Sequence, residues 1–264
     1  MQTVLDGRYT AKSSVVALGM FDGVHIGHQV LIQKGRALAD QRGVPLVVST
    51  FREHPLSVIA PQSCPAMLAT FDERVALMES MGVDVLYAMP FDRAVMDMPP
   101  EEYVGRLVRQ FHPTDVVCGY NHTFGKKGGG TPALLAALGG ALGFCTAVVP
   151  KITLRGREVS STAIRERLRQ GDAAGARELL GRPYLRRAAV TGGHGNVWEL
   201  TFAADGKQEL PKGAYRVLCG NGARELPAVL RLRDGGRAEC RLPGYADAAQ
   251  TLTVRFLTNL SVDF

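Results

Sequence analysis

The amino-acid sequence predicts an α/β fold in which a parallel sheet, covered by helices on both faces, is followed by a small all-β module. Two observations favour this class. Over residues 1–183, short apolar runs alternate with segments of helical periodicity, which is the pattern of a parallel sheet. Over residues 184–264, apolar and polar residues alternate in short runs separated by X-Gly pairs, which is typical of β-hairpins. The predicted domains are therefore 1–183 and 184–264.

Each predicted strand of the first domain is a short apolar run, and helical segments lie between the runs. The strands are predicted over 15–18, 46–50, 83–89, 115–119 and 146–149, and the helices over 27–40, 71–80, 101–110, 132–142, 163–169 and 173–180. The last helix ends at Gly181-Arg182-Pro183, because a glycine followed two residues later by proline terminates helices. Parallel sheets of this kind bind ligands at the carboxyl ends of their strands, where the strand order reverses.

The second domain is predicted to consist of strands joined by tight turns. Its alternating runs lie over 197–202, 215–219, 228–232, 238–242 and 251–256. Turns are predicted at Asp205-Gly206, Asn221-Gly222 and Asp234-Gly235-Gly236, since such pairs favour hairpin connections.

The composition excludes several classes of protein. The 264 residues are 46% hydrophobic and 21% charged, a globular mixture that argues against disorder. No apolar run approaches the roughly 20 residues needed to span a bilayer, so no membrane partner is expected. Residues 1–12 lack a basic stretch followed by an apolar one, which argues against secretion. The sequence predicts a soluble, cytoplasmic protein.

The net charge and the cysteine content indicate which kinds of partner and metal site are expected. The net charge of +6 is spread over both parts of the chain without a basic tail, so no nucleic-acid partner is expected. Basic residues do cluster over 151–169, as either a solvated helix face or a site for a small anion. The five cysteines are an odd number without a C-x-x-C pair, which favours neither a disulfide framework nor a zinc site. Protein partners cannot be read from the residues.

The strongest candidate site is Gly19–His28, with the sequence G-M-F-D-G-V-H-I-G-H, directly after the first predicted strand. Its glycines let backbone approach a ligand closely, and the helix start offers N–H groups and a positive dipole end to an anion. His25 and His28 can both donate hydrogen bonds to one phosphate group. The alternative is a tight turn with two incidental histidines. Metal binding by the pair is disfavoured, because no further His or Cys stands at ligand spacing.

The second candidate site is Val159–Arg165, at the start of a predicted helix. Hydroxyl residues at such a position usually cap the helix. The Glu or Gln of a capping box is missing here, since positions three residues beyond each hydroxyl carry Ala163, Ile164 and Arg165. Hydroxyls, backbone N–H groups and Arg165 would suit an anion instead. A phosphate-binding helix start at each end of the domain would suit a nucleoside triphosphate.

These two motifs, H-x-G-H and S-S-T-x-I-R, resemble those of nucleotidyltransferases that join an adenylyl group to a phosphate. More closely, the chain resembles the prokaryotic FAD synthetases, which are usually bifunctional riboflavin kinase/FMN adenylyltransferases. Thr50–Pro55 is similar to the family's T-F-x-P-H-P loop, with Glu53 in place of proline. Gly119–Gly125 is similar to its G-x-[DN]-F-x-F-G loop, with His122 in place of an aromatic residue. Residues 165–172 and 180–184 match the family's linker into its second domain.

The resemblance implies a Rossmann-like nucleotidyltransferase domain that uses ATP and FMN as substrates and Mg²⁺ as cofactor. It assigns catalysis at the α-phosphorus of ATP to His25 and His28, with Arg165 beside the leaving phosphates. The implied ATP-binding residues are Gly19, Met20, Phe21, Asp22, Gly23, His25, Gly27, His28, Ser160, Ser161, Thr162 and Arg165. The implied FMN-binding residues are Phe51, His54, Pro55, Asn121 and Phe124, with Asn121 also near Mg²⁺.

The chain departs from the family in its second domain. In the family this domain is a small β-barrel that phosphorylates riboflavin, with a G-x-P-T-x-N segment that organises Mg²⁺ and nucleotide. Residues 191–202 read T-G-G-H-G-N-V-W-E-L-T-F here, without P-T-x-N, although residues 210–215 keep a similar L-P-x-G-x-Y strand opening. The resemblance therefore predicts an adenylyltransferase followed by a truncated, barrel-like module that has lost kinase activity.

Three alternatives remain open. The acceptor could be another phosphate, such as nicotinamide mononucleotide or phosphopantetheine, although the loops over 51–55 and 121–125 argue against it. The chain could be a flavin- or nucleotide-binding regulator without turnover, which the intact phosphate motifs disfavour. It could also still be bifunctional, with kinase residues that the motif does not reveal. A tRNA-charging enzyme, which can share H-x-G-H, is disfavoured by size and by the absence of a K-M-S-K-S-like loop.

Overall fold

The computed structural model describes residues 1–221, 224–242 and 250–260. The chain divides into two compact units. The first comprises Met1–Pro65 and Phe71–Glu158, and the second comprises Ala66–Thr70 and Val159–Phe264. Residues 159–183, which the sequence assigned to the first domain, thus group by contact with the second unit. A functional boundary at residue 183 stays a prediction.

The first unit contains the predicted parallel sheet. Its strands are β1 Gln2–Val4, β2 Ser14–Leu18, β3 Leu46–Phe51, β4 Val85–Met89, β5 Pro113–Gly119 and β6 Cys145–Val149. They are ordered β1-β4-β3-β2-β5-β6, and every neighbouring pair is parallel. A short hairpin, β7 Thr153–Leu154 and β8 Arg157–Glu158, follows the sheet. The predicted α/β class is confirmed.

From β2 onward, helices separate the strands of the sheet and cover both of its faces. In the first unit they are α1 Ile26–Arg42, α2 Leu56–Ile59, α3 Phe71–Ser80, α4 Arg93–Asp97, α5 Pro100–Phe111 and α6 Pro132–Leu142. Successive side chains of β2 point to opposite faces, as the period of a strand requires. Val16 and Leu18 therefore join one core cluster with α5 and α6 residues, while Val15 and Ala17 join another with α1 and α3 residues. Both faces of β2 are fully buried, which explains its uninterrupted apolar sequence.

The second unit combines two helices with a closed barrel. The helices are α7 Ser161–Arg169 and α8 Ala173–Leu180. The strands are β9 Tyr184–His194, β10 Val197–Phe202, β11 Gly213–Gly220, β12 Glu225–Leu232, β13 Arg237–Arg241 and β14 Thr251–Leu260. They pair in the closed order β10-β13-β12-β11-β14-β9, so the predicted small all-β module is confirmed as a barrel.

Two of the three predicted turns can be located. Asp234–Gly236 forms the turn between β12 and β13, with Gly235 at a φ of 67° and Gly236 at 69°. Asp205-Gly206 lies in the connection between β10 and β11 rather than in a two-residue hairpin. The Asn221-Gly222 pair extends outside the described residues. In the part of the chain that the structure describes, no helix has the length and apolar character needed to cross a membrane.

Candidate functional site

The sheet order reverses at β2. The chain passes from β2 to β3 on one side, and β5 later pairs with β2 on the other side. Ligands of open parallel sheets bind at the carboxyl ends of the strands beside such a switch. The loops that follow β2, β3 and β5 are the three loops that the sequence singled out in this unit.

The loop after β2 has unusual backbone geometry. Phe21, Gly23 and Val24 adopt left-handed conformations with φ of 53°, 76° and 41°. Such a conformation costs a non-glycine residue about 1–3 kcal/mol, and it persists only when the surroundings impose it. Phe21 and Val24 are fully buried, so core packing holds the strained loop in place. The backbone conformation of this loop sets the direction in which the chain enters α1.

The two histidines stand at the N-terminus of α1. His25 is the N-cap residue, and its Nδ1 accepts a hydrogen bond from the backbone N–H of His28 at 3.3 Å. In the neutral ring the proton is then on Nε2, so that atom is a hydrogen-bond donor. The rings of His25 and His28 stack, with 3.6 Å between centroids and 14° between planes. Phe21 contacts the His28 ring at 5.3 Å, so the strained loop also orients this histidine.

The loop after β3 brings His54 and Pro55 to the same edge of the sheet. Nδ1 of His54 accepts a hydrogen bond from the Leu56 backbone N–H at 3.1 Å, which fixes the orientation of the ring. Phe51 packs edge-on against Phe91, with 5.0 Å between centroids. The Glu53 side chain is half exposed and lies 3.5 Å from Arg52; exposed pairs of this kind contribute about 0–1 kcal/mol.

The loop after β5 contains three of the residues discussed above, one with an exposed side chain and two whose rings are largely enclosed. Asn121 is exposed, whereas Phe124 is buried and packs on Tyr103 at 5.3 Å. The Nε2 atom of His122 is buried and has no hydrogen-bond partner among the described residues. Burial lowers the pKa of His122 to about 4, because desolvation disfavours the charged ring. His122 is therefore neutral at physiological pH.

A cavity of about 360 Å³ opens where these loops converge. We call it the sheet-edge cavity, and its size lies within the range of about 300–1,000 Å³ typical of small-molecule sites. Its described lining contains no Lys, Arg, Asp or Glu side chain, so it suits an uncharged ring better than a phosphate. The candidate-loop residues that line it are Gly19, Met20, His28, Thr50, Phe51, His54, Pro55, Gly119, Asn121, His122 and Thr123.

The second candidate site lies at the start of α7 in the second unit. Ser160 is the N-cap residue, and its Oγ accepts a hydrogen bond from the Ala163 backbone N–H at 3.2 Å. The expected capping function of a hydroxyl residue is thus present. Arg165 is 5% exposed, and its Nε donates to the carbonyl oxygen of Ala66 at 2.7 Å. Thr162 is exposed and Ser161 partly so, which leaves the hydroxyls on the surface of the helix start.

Similarity to known proteins identifies the family. Residues 8–163 match the family model of FAD synthetase. The chain belongs to the FAD synthetase family. It is 35% identical over 182 residues to a bifunctional riboflavin kinase/FMN adenylyltransferase of Bacillus subtilis, and 33% identical over 186 residues to that of Listeria monocytogenes. These alignments cover 68% and 70% of this chain but only 57% and 59% of those relatives, so the chain spans less than two thirds of their length.

A longer alignment and a solved structure extend this result. The bifunctional riboflavin kinase/FMN adenylyltransferase of Escherichia coli K12 is 29% identical over 228 residues, covering 84% of this chain and 73% of the relative. A crystal structure described as a macrolide-efflux protein from Streptococcus pneumoniae matches with a TM-score of 0.89 and 24% identity, covering all of this chain and 93% of the other. At that identity the structural match shows the fold alone.

Four of the five residues predicted to bind FMN line the sheet-edge cavity, and the fifth does not. Phe51, His54, Pro55 and Asn121 all line the sheet-edge cavity. Phe124 does not appear in its lining and packs instead in the core cluster beside Tyr103. The predicted contact between Phe124 and the flavin thus receives no support from the cavity and stays a prediction.

Sequence reasoning missed Arg74, which fixes two of the site loops. This residue of α3 is 1% exposed, and its guanidinium donates to the carbonyl oxygens of Met20, Phe51 and Arg52. Burial lowers its pKa, opposed by the charges of Asp22 and Glu53. A signal was present in the sequence: Arg74 lies between Phe71 and Met78 at helical spacing, on the face of α3 that packs inward.

Proposed function

We propose that the first unit transfers the adenylyl group of ATP to the phosphate of FMN, giving FAD and pyrophosphate. One observation carries the proposal: an uncharged cavity of ring size opens beside the N-terminus of α1, where His25 and His28 stack. The cavity suits the flavin ring, and the helix start suits phosphate. Membership of the FAD synthetase family supports the same pair of substrates.

The chemistry requires no protein nucleophile. An ionised oxygen of the FMN phosphate attacks the α-phosphorus of ATP in line, and the bond to the β-phosphate bridging oxygen breaks as pyrophosphate leaves. Negative charge grows on the α-phosphate oxygens in the transition state. The Nε2–H of His25 and the backbone N–H groups at the start of α1 are donors that can stabilise this charge. His28, whose ring lines the cavity, would hold the reacting phosphates in place.

Magnesium would be held mainly by the substrates. The described residues contain no cluster of three or more His, Cys, Asp or Glu side chains that could hold a metal ion. The amide oxygen of Asn121, exposed at the cavity, is a ligand type that Mg²⁺ accepts. Since Mg²⁺ usually binds through substrate phosphates and one or two protein oxygens, this donor set fits it. When bound, the ion would neutralise phosphate charge.

A separate prediction concerns the start of α7. The family resemblance implies that Ser161, Thr162 and Arg165 bind ATP, and we assign them to its β- and γ-phosphates. Exposure of Thr162 at the start of α7 supports it, and the positive end of the helix favours an anion. The bond from Arg165 to Ala66 shows that this arginine also has a structural role. Ser161→Ala and Thr162→Ala therefore test phosphate binding more cleanly than substitution of Arg165.

We also propose that the barrel no longer phosphorylates riboflavin. The end of β9, the turn that follows it and the start of β10 read G-G-H-G-N-V-W-E. This segment lacks the Pro-Thr-x-Asn side chains that organise nucleotide and Mg²⁺ in the family's kinase domain. The closed barrel has been retained without that segment.

An end-point chromatographic assay tests both proposals. Purified chain is incubated with ATP, Mg²⁺ and either FMN or riboflavin. We expect FAD from FMN and no FMN or FAD from riboflavin. FMN formation tenfold or more above a no-enzyme control would contradict loss of kinase activity and establish a bifunctional enzyme. No FAD from FMN would overturn adenylyl transfer to flavin, and nicotinamide mononucleotide and phosphopantetheine would then be tested as acceptors.

A further inference from the structure

The two edges of the parallel sheet differ in how well they are protected. At one edge lies β1, which is three residues long, and at the other lies β6, Cys145–Val149. In the described part of the chain, β6 pairs only with β5. An edge strand presents unpaired backbone N–H and C=O groups to other chains, and natural proteins blunt such edges with very short strands, charged side chains, prolines or bulges. The shortness of β1 is one such protection.

Strand β6 has none of these protections. Its sequence, C-T-A-V-V, contains neither a charged residue nor proline, and its register with β5 runs without a bulge from Cys145 to Val149. Cys145 is exposed, and Val148 is 45% exposed. β6 is therefore a strand of ordinary length that offers an accessible apolar side chain at an open edge.

The backbone groups on the open side of β6 can be identified. The carbonyl oxygen of Val149 accepts a hydrogen bond from the backbone N–H of Tyr120, directly after β5. Because successive residues of a strand direct their backbone groups to alternate sides, those of Ala147 also face β5, whereas those of Thr146 and Val148 face away from the sheet. Thr146 and Val148 can thus each offer one donor and one acceptor to a further strand.

Helix α6 extends the apolar surface beside this edge. Val148 pairs with Cys118 of β5, and Cys118 lies in one core cluster with Leu135 of α6. Paired residues lie on the same face of a sheet, so Val148 and α6 share a face. The exposed residues of α6 are all small or apolar: Ala133, Ala136, Ala137, Gly140, Ala141 and Leu142. We call β6 and this exposed face of α6 the edge surface.

The edge surface carries no charge of its own. Residues 128–150 contain no Lys, Arg, Asp, Glu or His. Asp115, on the neighbouring strand β5, lies 3.0 Å from Arg42, and Lys151, just beyond β6, lies 2.6 Å from Glu158. Each of these neighbouring charges therefore has an opposite partner within the same chain.

A neutral surface favours a second copy of this chain over a charged partner. The chain carries a net charge of +6, so two copies repel each other where charged surfaces meet. At the edge surface neither copy brings a charge that would have to be desolvated without a partner. An open strand edge also matches its own copy, because two identical strands can pair antiparallel about a twofold axis.

We propose that the chain forms a symmetric dimer in which β6 pairs antiparallel with β6 of a second copy. A twofold axis perpendicular to the sheet keeps each face on its own side, so residues of the same face lie opposite each other. Centring the axis on Ala147 uses the whole strand, and Thr146 then lies opposite Val148 of the second copy, with backbone hydrogen bonds between them. The two sheets form one continuous sheet, with both copies of α6 on the same face. The dimer does not depend on adenylyl transfer, so either proposal can fail alone.

Sedimentation equilibrium of the full chain at micromolar concentrations tests the dimer. We expect a mass about twice the 28.4 kDa of one chain. Val148→Lys places a charge at the edge, a device that blocks edge pairing, and should weaken self-association at least tenfold. Val229→Lys is the matched control, because Val229 is a 40% exposed valine on strand β12 of the barrel, and its self-association should stay within twofold of wild type. A monomeric wild-type chain, or a dimer that Val148→Lys weakens no more than Val229→Lys, would overturn the proposal.

Disulfide cross-linking tests the pairing of the strands and decides the matter if Val148→Lys does not fold. Cys145→Ser first removes the exposed native thiol. Ala147→Cys in this background places two thiols at a non-hydrogen-bonded pair, whose Cα atoms are about 4.5 Å apart, within the range of a disulfide. Mild oxidation should convert most of this protein into a covalent dimer on a non-reducing gel, whereas Val229→Cys in the same background should stay monomeric. Cross-linking of Ala147→Cys no greater than that of Val229→Cys would contradict pairing through β6.

Discussion

The two cavities are nearly equal in volume but are built on different principles. The sheet-edge cavity lies at a switch in strand order, has no Lys, Arg, Asp or Glu side chain in its described lining, and adjoins one loop with strained backbone. The second cavity, of about 340 Å³, lies at one end of the closed barrel, and we call it the barrel-mouth cavity; its lining carries five charged side chains, Arg186, Glu209, Lys212, Arg233 and Asp234. Strand order places the first cavity beside the start of α1, whereas charged side chains of the barrel line the second. Substitutions should therefore affect the two cavities in different ways.

The largest effect is expected at Arg74, which supports the sheet-edge loops from behind. Arg74→Met leaves the carbonyl oxygens of Met20, Phe51 and Arg52 without this donor. Since each buried unsatisfied group costs about 1–3 kcal/mol, we expect a loss of about 3 kcal/mol or more in the free energy of unfolding. Urea denaturation measures the loss. The control Arg109→Met removes an exposed helical arginine and should change stability by less than about 0.5 kcal/mol.

An equal loss in both variants would show that the buried hydrogen bonds of Arg74 do not stabilise the loops. In surviving Arg74→Met protein, we expect the KM for FMN to rise more than the kcat falls, because the loops position substrate.

The next largest effect is expected on turnover, when either of the stacked histidines is substituted. His28→Ala should lower the kcat of FAD formation by roughly 10²-fold or more, if the ring stabilises charge in the transition state. His25→Asn keeps a side-chain acceptor for the helix cap but removes the imidazole donor, and should lower kcat similarly. His194→Ala, at an exposed position of the barrel, is the control. Unchanged turnover in His28→Ala would remove this residue from the mechanism.

The smallest effect is a pH dependence from His122. Its pKa is lowered by burial to about 4, against an unfolded value near 6.5. Between these values the unfolded chain binds more protons than the folded chain, so stability rises with pH through this window and falls as pH drops from about 6.5 toward 4. His122→Phe should lose less stability over that fall than wild type, as measured by Tm. An identical decline in the two proteins would contradict a buried neutral His122.

Much of the fold followed from sequence patterns that directly reflect burial. The predicted strand over 197–202 and the helix over 71–80 coincide with β10 and α3, because a period of two or of 3.6 marks one buried face. The long strand β9 was missed. Its sequence, Y-L-R-R-A-A-V-T-G-G-H, places Arg186 at an interior position, which breaks the apolar alternation. The residue that hid the strand is one of the five charged residues that line the barrel-mouth cavity.

The site was predictable where it depends on local geometry. The histidines at the start of α1 and the loop at Phe51–Pro55 follow their strands directly, so their place at the sheet edge could be inferred. The support from Arg74 required knowing that α3 passes behind both loops, which is a tertiary contact. The burial of Phe124 likewise depends on its packing against Tyr103 and on Gly130, where a Cβ would lie 2.4 Å from the Phe124 ring. No local pattern contains that information.

The most direct test of the account is a crystal structure with FMN and a non-hydrolysable ATP analogue bound. The account predicts the flavin ring in the sheet-edge cavity, against Phe51, and the flavin phosphate and the α-phosphate of the analogue at the start of α1, beside His28. It also predicts that no flavin occupies the first unit outside this cavity. Flavin density only in the barrel-mouth cavity, with the sheet-edge cavity empty, would contradict the assignment of adenylyl transfer to the first unit.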